Sequence, residues 1–405
     1  MKRSLSTLIL LLVLVNCQGQ NTNTKATPCT DIIAQTTKGK WINNYDLAGN
    51  VTRVQKQEAY KRLDIMHYIL LKMYPEPTGV DVRMNRGAGI NYFGATRKYR
   101  YTEDNRLTFD YVKLLPIIMY SYYANFSPHY CAHTNDGVVF MPGLHNENSD
   151  GIGISINEFA GVVGVPAIDD DWLINGLPVR MLTTRVNEQW KGYEVYGDVR
   201  LNSRAILIHR EGKLPFIPVT RKQYLERCIA FLAKLHDNLI DLQKKIPVRS
   251  LEEQETEKKA KLAKFEKDFG KDPKRLKSAV DYYLSGYKTD QQIRDENIAN
   301  AKWLKESELK KFADELEKTT REGQLDSPAY IRVMYISDLI FDNNPLTGSM
   351  LVTDNPDYIR KDLPAHVPQF IVLNWRWSEF PPHKTYQKIF LEDFPIEKIQ
   401  AMIDK

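Results

Sequence analysis

The sequence has little net charge for its length, and this limits the functions it can have. Its 405 residues include 56 lysines and arginines and 51 aspartates and glutamates, which gives a formal net charge of +5. A domain that binds nucleic acid usually carries a clear excess of basic residues, so this balance argues against such a partner. The hydrophobic content of 42% and the aromatic content of 11% are those of a folded globular protein.

Cysteines are also few, which limits disulfides and metal sites. Of the four in the chain, three lie beyond the N-terminal segment, namely Cys29, Cys131 and Cys228, so at most one disulfide can form among them. Cys228 falls on the apolar stripe of a predicted helix, where a buried thiol is expected. Cys29 and Cys131 are therefore the only pair that we consider for a disulfide. None of the spacings resembles a zinc site, and we expect no metal or cofactor.

The first residues have the pattern of an export signal. Two basic residues precede an apolar run, residues 8–15, that is too short to span a bilayer as a mature helix. The segment that ends at Cys17 resembles a bacterial lipoprotein box, although Asn16 stands where that pattern favours Gly, Ala or Ser. We therefore expect an exported protein of the cell envelope, with a membrane anchor on Cys17. Ordinary cleavage after Gly19, which would give a soluble periplasmic protein, is the alternative.

A strand, a turn and a helix over residues 204–242 form the best-specified local unit. Two apolar runs flank the turn signal of residues 211–213. Thr220 and Gln223 then have the spacing of a capping box, which starts a helix that Pro247 ends. The predicted apolar stripe of this helix consists of Tyr224, Leu225, Cys228, Phe231, Leu232, Leu235 and Leu239.

The rest of the sequence predicts an α+β fold. Residues 53–73 carry apolar side chains at helical intervals, and short apolar segments between residues 109 and 199, separated by Asn, Asp and Gly, predict an antiparallel sheet. Residues 249–323 are rich in Glu and Lys and have few apolar positions. This composition favours helices with a solvated charged face over a dedicated partner-binding arm.

We therefore expect an antiparallel-sheet-containing α+β core with a charged helical insertion. In chain order, the predicted parts are a lipoprotein signal peptide (residues 1–17), a flexible tether (18–48), an α+β core (49–247), a charged helical segment (248–323) and a C-terminal α+β part (324–405). The last part is expected to pack back on the core.

One polar cluster carries residue types that could perform chemistry. His133 could act as a general base that Asp136 orients, with Cys131 as a nucleophile. His129, His133 and Asp136 could equally ligate a metal ion. Pro128 and a turn signal place these residues in a loop without a motif that fixes their geometry, so we favour polar residues that cap turns. The residues downstream that would complete such a site are His145 and Asp150.

Two further features have a structural and a functional interpretation. Residues 169–171, three consecutive aspartates, could hold a calcium ion, but they lack the spacing of an EF-hand and favour a plain acidic turn. Tyr120, Tyr122 and Tyr123 could form a platform for a sugar. Tyrosines along a strand are more often partly buried cross-strand partners, and we favour that interpretation.

Three short segments in the second half of the chain resemble uncharacterised exported proteins of Bacteroidota-type bacteria. They are PVTRKQYL at residues 218–225, NPDY at 355–358, and the LP and PQF of residues 363–370. The resemblance implies an exported protein and no particular activity. The lipid anchor, the flexible tether, the aromatic-rich sheet and the absence of a matched acid, base and nucleophile favour a non-catalytic cell-envelope lipoprotein that binds an unknown ligand or protein partner. An envelope hydrolase that uses the loops of residues 129–150 is the alternative.

Overall fold

The computed structural model describes residues 29–93, 96–101, 107–113, 116–134, 137–141, 150–164, 173–198, 202–332, 340–342 and 347–405. The helices are α1 (Asp31–Thr36), α2 (Arg53–Met73), α3 (Arg221–Lys245), α4 (Leu251–Phe269), α5 (Pro273–Gly286), α6 (Asp290–Arg321), α7 (Pro381–Asp393) and α8 (Ile396–Gln400). The strands are β1 (Trp41–Ala48), β2 (Val80–Tyr92), β3 (Thr96–Tyr101), β4 (Leu107–Lys113), β5 (Pro116–Pro128), β6 (Tyr130–Thr134), β7 (Gly137–Met141), β8 (Gly151–Ile156), β9 (Val163–Gly164), β10 (Leu173–Ile174), β11 (Leu177–Leu182), β12 (Arg185–Trp190), β13 (Tyr193–Asp198), β14 (Ser203–Ile208), β15 (Phe216–Pro218), β16 (Tyr330–Arg332), β17 (Gly348–Asp354) and β18 (Ile371–Arg376).

An eight-stranded sheet forms the centre of the fold. Its strand order is β1-β2-β5-β8-β18-β14-β13-β12. Only the β1–β2 pair is parallel, and the other neighbours in this order run antiparallel. The late strand β18 lies between β8 and β14, so strands from both ends of the chain share one sheet. These observations confirm the predicted α+β fold with an antiparallel sheet.

One face of the central sheet packs against α2, α7 and α8. Successive side chains of a strand point to opposite faces, and here alternate residues of each strand are apolar and buried. In β2 these residues include Val80 and Val82, and in β5 they include Phe126. They meet Leu63 of α2 and Phe390 of α7, both fully buried. This is the largest core cluster that the structure describes.

A smaller sheet covers part of the opposite face. Its order is β10-β11-β17-β15, with β16 paired to β17 and β9 paired to β11. Leu207 and Val372 of the central sheet pack against Met350 and Val352 of the small sheet. Helix α3 and the end of α6 cover the outer side of the small sheet, in a third cluster that contains Leu225. The molecule therefore consists of helices, a large sheet, a small sheet and helices, in that order.

The predicted strand–turn–helix unit is confirmed. Strand β14 leads into a turn at Gly212, whose φ of 70° suits a residue without a Cβ atom. The Thr220 hydroxyl then accepts the N–H of Gln223, whose side chain reaches back to the N–H of Thr220. Val219 and Tyr224, on either side of the cap, are both buried in the third cluster. Local side-chain chemistry thus fixes where α3 starts.

The prediction of a flexible tether over residues 18–48 is wrong for the part that the structure describes, because that part belongs to the fold. Residues 31–36 form α1, and β1 pairs in parallel with β2. Asp81 accepts the N–H of Lys40 at 3.1 Å. Trp41 donates its ring N–H to the Tyr74 carbonyl at 3.0 Å. Contacts to residues distant in sequence hold this segment in place, and the polar composition did not reveal them.

Helices α3 to α6 form a helical arm. Helix α3 runs antiparallel to α6, since Ile246 accepts a hydrogen bond from Arg294 while Asp237 pairs with Lys305 farther down the arm. Helices α4 and α5 pack on each other at the far end, where Tyr283 contacts Phe265. We use the name "arm" for residues 234–311. This feature confirms the charged helical insertion, although the last turns of α6 belong to the core through Phe312, Leu316 and Thr319.

None of the described helices combines the length and the apolar content that crossing a bilayer requires.

Candidate functional site

The first histidine of the predicted polar cluster, His129, is buried and hydrogen-bonded to an aspartate. Its Nε2 lies 3.2 Å from the carboxylate of Asp81, and both side chains are almost completely buried. The ring edge packs on Phe140 of β7, with 5.3 Å between ring centroids. Since Asp81 also holds the backbone of Lys40, the pair joins β1, β2 and the β6–β7 hairpin. Its contacts are those of a structural pair.

Asp150, at the other end of the cluster, is paired with a histidine of α7. The Nδ1 of His383 lies 3.0 Å from the Asp150 carboxylate and 2.7 Å from the Ser378 hydroxyl. The Nε2 donates to the carbonyl of Phe126 at 2.8 Å. A catalytic triad places its serine and its carboxylate on opposite ring nitrogens. Here both face Nδ1, so the group lacks the geometry that activates a serine.

Several interactions set the charge state of Asp150. Burial by itself raises the pKa of its carboxyl group, but hydrogen bonds from His383 and Ser378, with a smaller effect of the nearby Arg376, bring the pKa below its usual value. The Arg376 guanidinium lies 3.8 Å from the carboxylate. Asp150 is therefore held as an anion by hydrogen bonds that link it to His383 of α7.

The described members of the predicted cluster do not come together. His129 pairs with Asp81, which alternates along β2 with Val80 and Val82 and so lies on the face opposite to them. Asp150 pairs with a residue of α7, on the same side as those valines. His133 lies exposed on β6. The other proposed members and further candidate residues lie outside the described residues: Asp136, His145, residues 169–171 and Cys17.

Cys131 is bonded to Cys29, with 5.7 Å between their Cα atoms. This confirms the pairing that was considered from the sequence. It also corrects the suggestion that Cys131 is a nucleophile, because a disulfide sulfur has no thiolate to offer. Cys228 is a free, buried thiol. Burial raises the pKa of this thiol to about 12, which leaves it protonated and unreactive at neutral pH.

Tyr123 of β5 is partly buried, as favoured from the sequence, whereas the other two tyrosines of this strand belong to the core. Tyr120 and Tyr122 are almost fully buried, and burial raises the pKa of both phenols. Tyr120 donates to the carbonyl of His366 at 3.0 Å, and the Tyr122 hydroxyl lies 3.0 Å from the Nδ1 of His67. Each buried hydroxyl thus has a partner, and neither phenol forms part of an open sugar platform.

A cleft of about 360 Å³ lies beside β13 and β14. Tyr193, Glu194 and Tyr196 line one side of it, with His209 and Glu211 on the other. The Tyr196 hydroxyl donates to the Glu194 carboxylate at 3.3 Å. These side chains can accept hydrogen bonds, but the lining set contains no serine, threonine or cysteine that could serve as a nucleophile. Within the described residues, no three His, Cys, Asp or Glu side chains gather as a metal site.

A perturbed carboxyl group lies where the two sheets meet. Burial raises the pKa of Glu158, and the charge of Arg180 opposes this effect. The Nε of Arg180 lies 3.3 Å from the carboxylate of Asp354, which is almost fully buried. Arg180 of β11 and Asp354 of β17 therefore form an ion pair within the small sheet, and the charge of Arg180 also acts on the nearby Glu158. The arrangement explains the shifted pKa without a catalytic role.

Many of the large apolar side chains that the structure describes as exposed lie on the arm. Leu235, Leu239 and Leu242 of α3, and Ile246 at its C-cap, are 39%, 41%, 54% and 46% exposed. They follow one another at intervals of four, three and four residues, which places them on one face of the helix. We call these four residues the α3 ridge. Contiguous exposed apolar side chains are a common feature of protein interaction surfaces.

The α3 ridge continues a row that is buried at the base of the helix. Tyr224 and Cys228 lie on the same face, at the same spacing, and pack in the third core cluster. With 25 residues, α3 is about 37 Å long, so its far half extends beyond the small sheet. The apolar row therefore extends beyond the core that buries its first residues. The sequence predicted this row as far as Leu239, and the structure shows which of its residues the core covers.

Polar pairs fix the orientation of the α3 ridge. Along the ridge side that faces α6, the Nε2 of the buried His236 lies 2.7 Å from the Glu308 carboxylate. Farther out, Asn297 donates to Gln243 at 3.3 Å. These two polar contacts set the rotation of α3 about its own axis relative to α6. The α3 ridge therefore faces solvent on a pair of helices that these contacts hold together.

Comparisons with known proteins add no family to this description. Searches against protein-family models, curated proteins and solved structures each found no match to the chain.

Proposed function

We propose that this chain is an exported, membrane-anchored protein without catalytic activity that binds another protein through its arm. The observation that carries the proposal is the exposed α3 ridge, a row of four aliphatic side chains on a helix held away from the core. Burying such side chains against a partner contributes about 25 cal/mol for each Å² removed from water. The predicted charged insertion thus carries the interaction surface, in place of a merely solvated face.

Export and anchoring rest on two separate observations. The N-terminal pattern that ends at Cys17 supports lipid attachment. The disulfide between Cys29 and Cys131 supports an oxidising compartment, since structural disulfides are rare in the reducing cytosol. Intact-mass analysis of the membrane fraction tests the anchor, because acylation at Cys17 gives a mature chain heavier than its polypeptide. A mature N-terminus at Gln20 without acyl mass contradicts it.

Site-specific photo-cross-linking in the native host tests the binding surface. A photo-reactive amino acid at position 239 is expected to give one discrete adduct with another protein. The matched control places the same amino acid at position 244, an exposed site on the opposite side of α3, where no adduct is expected. Adducts of equal yield at both positions, or none at position 239, contradict the proposal.

A further inference from the structure

The first helix exposes two large aliphatic side chains to water. Ile32 and Ile33 of α1 are 73% and 39% exposed, and no other large aliphatic side chain of the described residues is more exposed than Ile32. Ala34 is the buried residue of this helix. Because successive residues of a helix are rotated by about 100°, Ile32 points to the side opposite Ala34, and Thr36 follows it one turn later on the same side. The outer face of α1 is therefore apolar.

Bonds on both sides of α1 fix its position. Before the helix, Cys29 is bonded to Cys131 of β6. After it, the N–H of Gly79 donates to the carbonyl of Thr37 at 2.8 Å. These bonds hold the helix in one orientation, so Ile32 cannot be buried by a rotation of α1.

The proposed lipid anchor lies close to this face along the chain. Residues 18–28 separate Cys17 from Cys29. Whatever path these residues take, a segment of this length spans at most about 40 Å. Once Cys17 is inserted, α1 is thus held within that distance of the bilayer surface. Among the exposed large apolar residues that the structure describes, Ile32 and Ile33 are the nearest in sequence to the anchor.

A tether of this kind makes a weak membrane contact effective. It converts the second contact into an intramolecular event, with an effective concentration on the order of millimolar. Two isoleucines alone do not hold a protein on a membrane, since even one acyl chain gives only marginal attachment. In a protein that is already anchored, the same two side chains need only select its orientation at the surface.

The charges near α1 favour an apolar contact over an electrostatic one. The helix carries Asp31 in its first turn, and the exposed Lys40 offsets that charge. Lys38 is paired with Glu76 at 2.8 Å, and both are exposed. These four charges cancel, so the face has no basic cluster of the kind that recognises anionic lipids.

We propose that the outer face of α1, formed by Ile32 and Ile33, inserts into the surface of the bilayer that holds the Cys17 anchor. This second contact fixes the orientation of the protein on the membrane. The inference rests on the anchoring in the proposed function and adds a membrane-binding surface to it.

An environment-sensitive fluorophore measures whether α1 enters the bilayer. The full mature chain is purified with its lipid, labelled with nitrobenzoxadiazole at Thr36→Cys, and reconstituted into vesicles of phosphatidylethanolamine and phosphatidylglycerol. The label reacts at the new thiol, because Cys228 is buried and Cys29 is bonded. We expect a blue shift of the emission. Quenching by nitroxide-labelled lipid is expected to be at least about twofold stronger than for the same label at Thr256→Cys on α4.

Ile32→Ser/Ile33→Ser is the matched variant of the labelled chain. It is expected to float with the vesicles as the wild type does, but to lose the blue shift and the excess quenching. Leu251→Ser removes a similarly exposed aliphatic side chain from α4, 71% exposed, and should change neither signal. Phosphatidylcholine in place of phosphatidylglycerol should leave the wild-type signal unchanged. A signal that survives Ile32→Ser/Ile33→Ser, or that requires the anionic lipid, overturns the proposal.

Intact mass and flotation separate this inference from the proposed function. A chain that carries acyl mass and floats while the label at position 36 stays in water overturns the inference and leaves the anchoring intact. A blue shift in the native envelope that is absent from the lipid vesicles also overturns it and assigns the face to a protein. A chain without acyl mass that does not float contradicts both.

Discussion

The Gln254 side chain accepts the backbone N–H of Asp290 at 2.8 Å, which fixes the start of α6 to the start of α4. Its amide group also donates to the carbonyl of Arg249 at 2.7 Å. Arg249 in turn forms a two-pronged ion pair with the Asp290 carboxylate, at 2.8 and 2.9 Å. Gln254 is the one buried residue of α4, a helix that the structure describes throughout. The buried amide group of Gln254 and the Arg249–Asp290 ion pair therefore join α4 to the start of α6 at the far end of the arm.

Replacing this amide is expected to loosen the tip of the arm without unfolding the core. Gln254→Ala leaves the Asp290 N–H and the Arg249 carbonyl without their partner, at a cost of about 1–3 kcal/mol. We expect faster amide hydrogen exchange in α4 and α5 and an unchanged melting temperature of the core. Thr256→Ala, on the same helix and exposed, serves as the control. A loss of the main cooperative transition would show that the tip and the core unfold together.

The buried pair of Asp150 and His383 is expected to make stability depend on acid pH. The folded-state pKa of Asp150 is lowered, so the stabilisation that its carboxylate provides is fully present above the unfolded-state pKa of about 3.9. It is lost as the pH falls below about 4 and passes through the folded-state pKa. Asp150→Asn is expected to cost about 1.5–3 kcal/mol at neutral pH, because it removes the charged acceptor from the hydrogen bonds with His383 and Ser378. Denaturant unfolding at several pH values measures both effects, and a variant as stable as the wild type contradicts the contribution of this carboxylate.

The disulfide is expected to be a major source of stability. It closes a loop with a sequence separation of 102 residues, and bonds of this kind typically contribute about 2–5 kcal/mol. A thiol reductant should therefore lower the denaturant midpoint of the wild-type chain and leave that of Cys29→Ser/Cys131→Ser unchanged. Cys228→Ala is the matched control, because this thiol is not bonded, and its variant should remain sensitive to reductant. An insensitive wild-type chain contradicts the bond.

The ridge is expected to contribute little to the stability of the isolated chain. Leu239→Ser/Leu242→Ser should change the free energy of unfolding by less than about 1 kcal/mol, as for other surface substitutions. Leu225→Ser, on the same helix but fully buried, should cost more than about 3 kcal/mol through a cavity and a buried hydroxyl. Equal losses for the two variants would mean that the ridge is covered within the chain itself.

The parts of the fold that were predicted correctly are those with local signals. Thr220 with Gln223 caps α3, and Thr52 with Gln55 forms an equivalent box at the start of α2. Helix α7 has no side-chain cap and begins with two prolines, and it was not predicted. Its place depends on His383, whose partners are distant in sequence.

The candidate site was harder to predict because burial is not a local property. His129 and Asp150 are near in sequence, but each finds its partner elsewhere in the chain, and the sheet separates them. Leu235 and Leu239 were correctly placed on one stripe, yet their exposure depends on how far the small sheet extends along α3. Sequence spacing predicts which side chains share a face, and only the tertiary structure shows what covers that face.

The accessibility of position 239 tests the central claim most directly. A Leu239→Cys variant introduces an accessible thiol into a chain whose Cys228 is buried and whose Cys29 and Cys131 are bonded to each other. Its rate of labelling by a maleimide is measured in the purified protein and in the native cell envelope, with Lys244→Cys as the control on the opposite side of α3. A partner on the ridge predicts slower labelling at position 239 in the envelope and equal rates at position 244. Equal rates at position 239 in both preparations would contradict a bound partner.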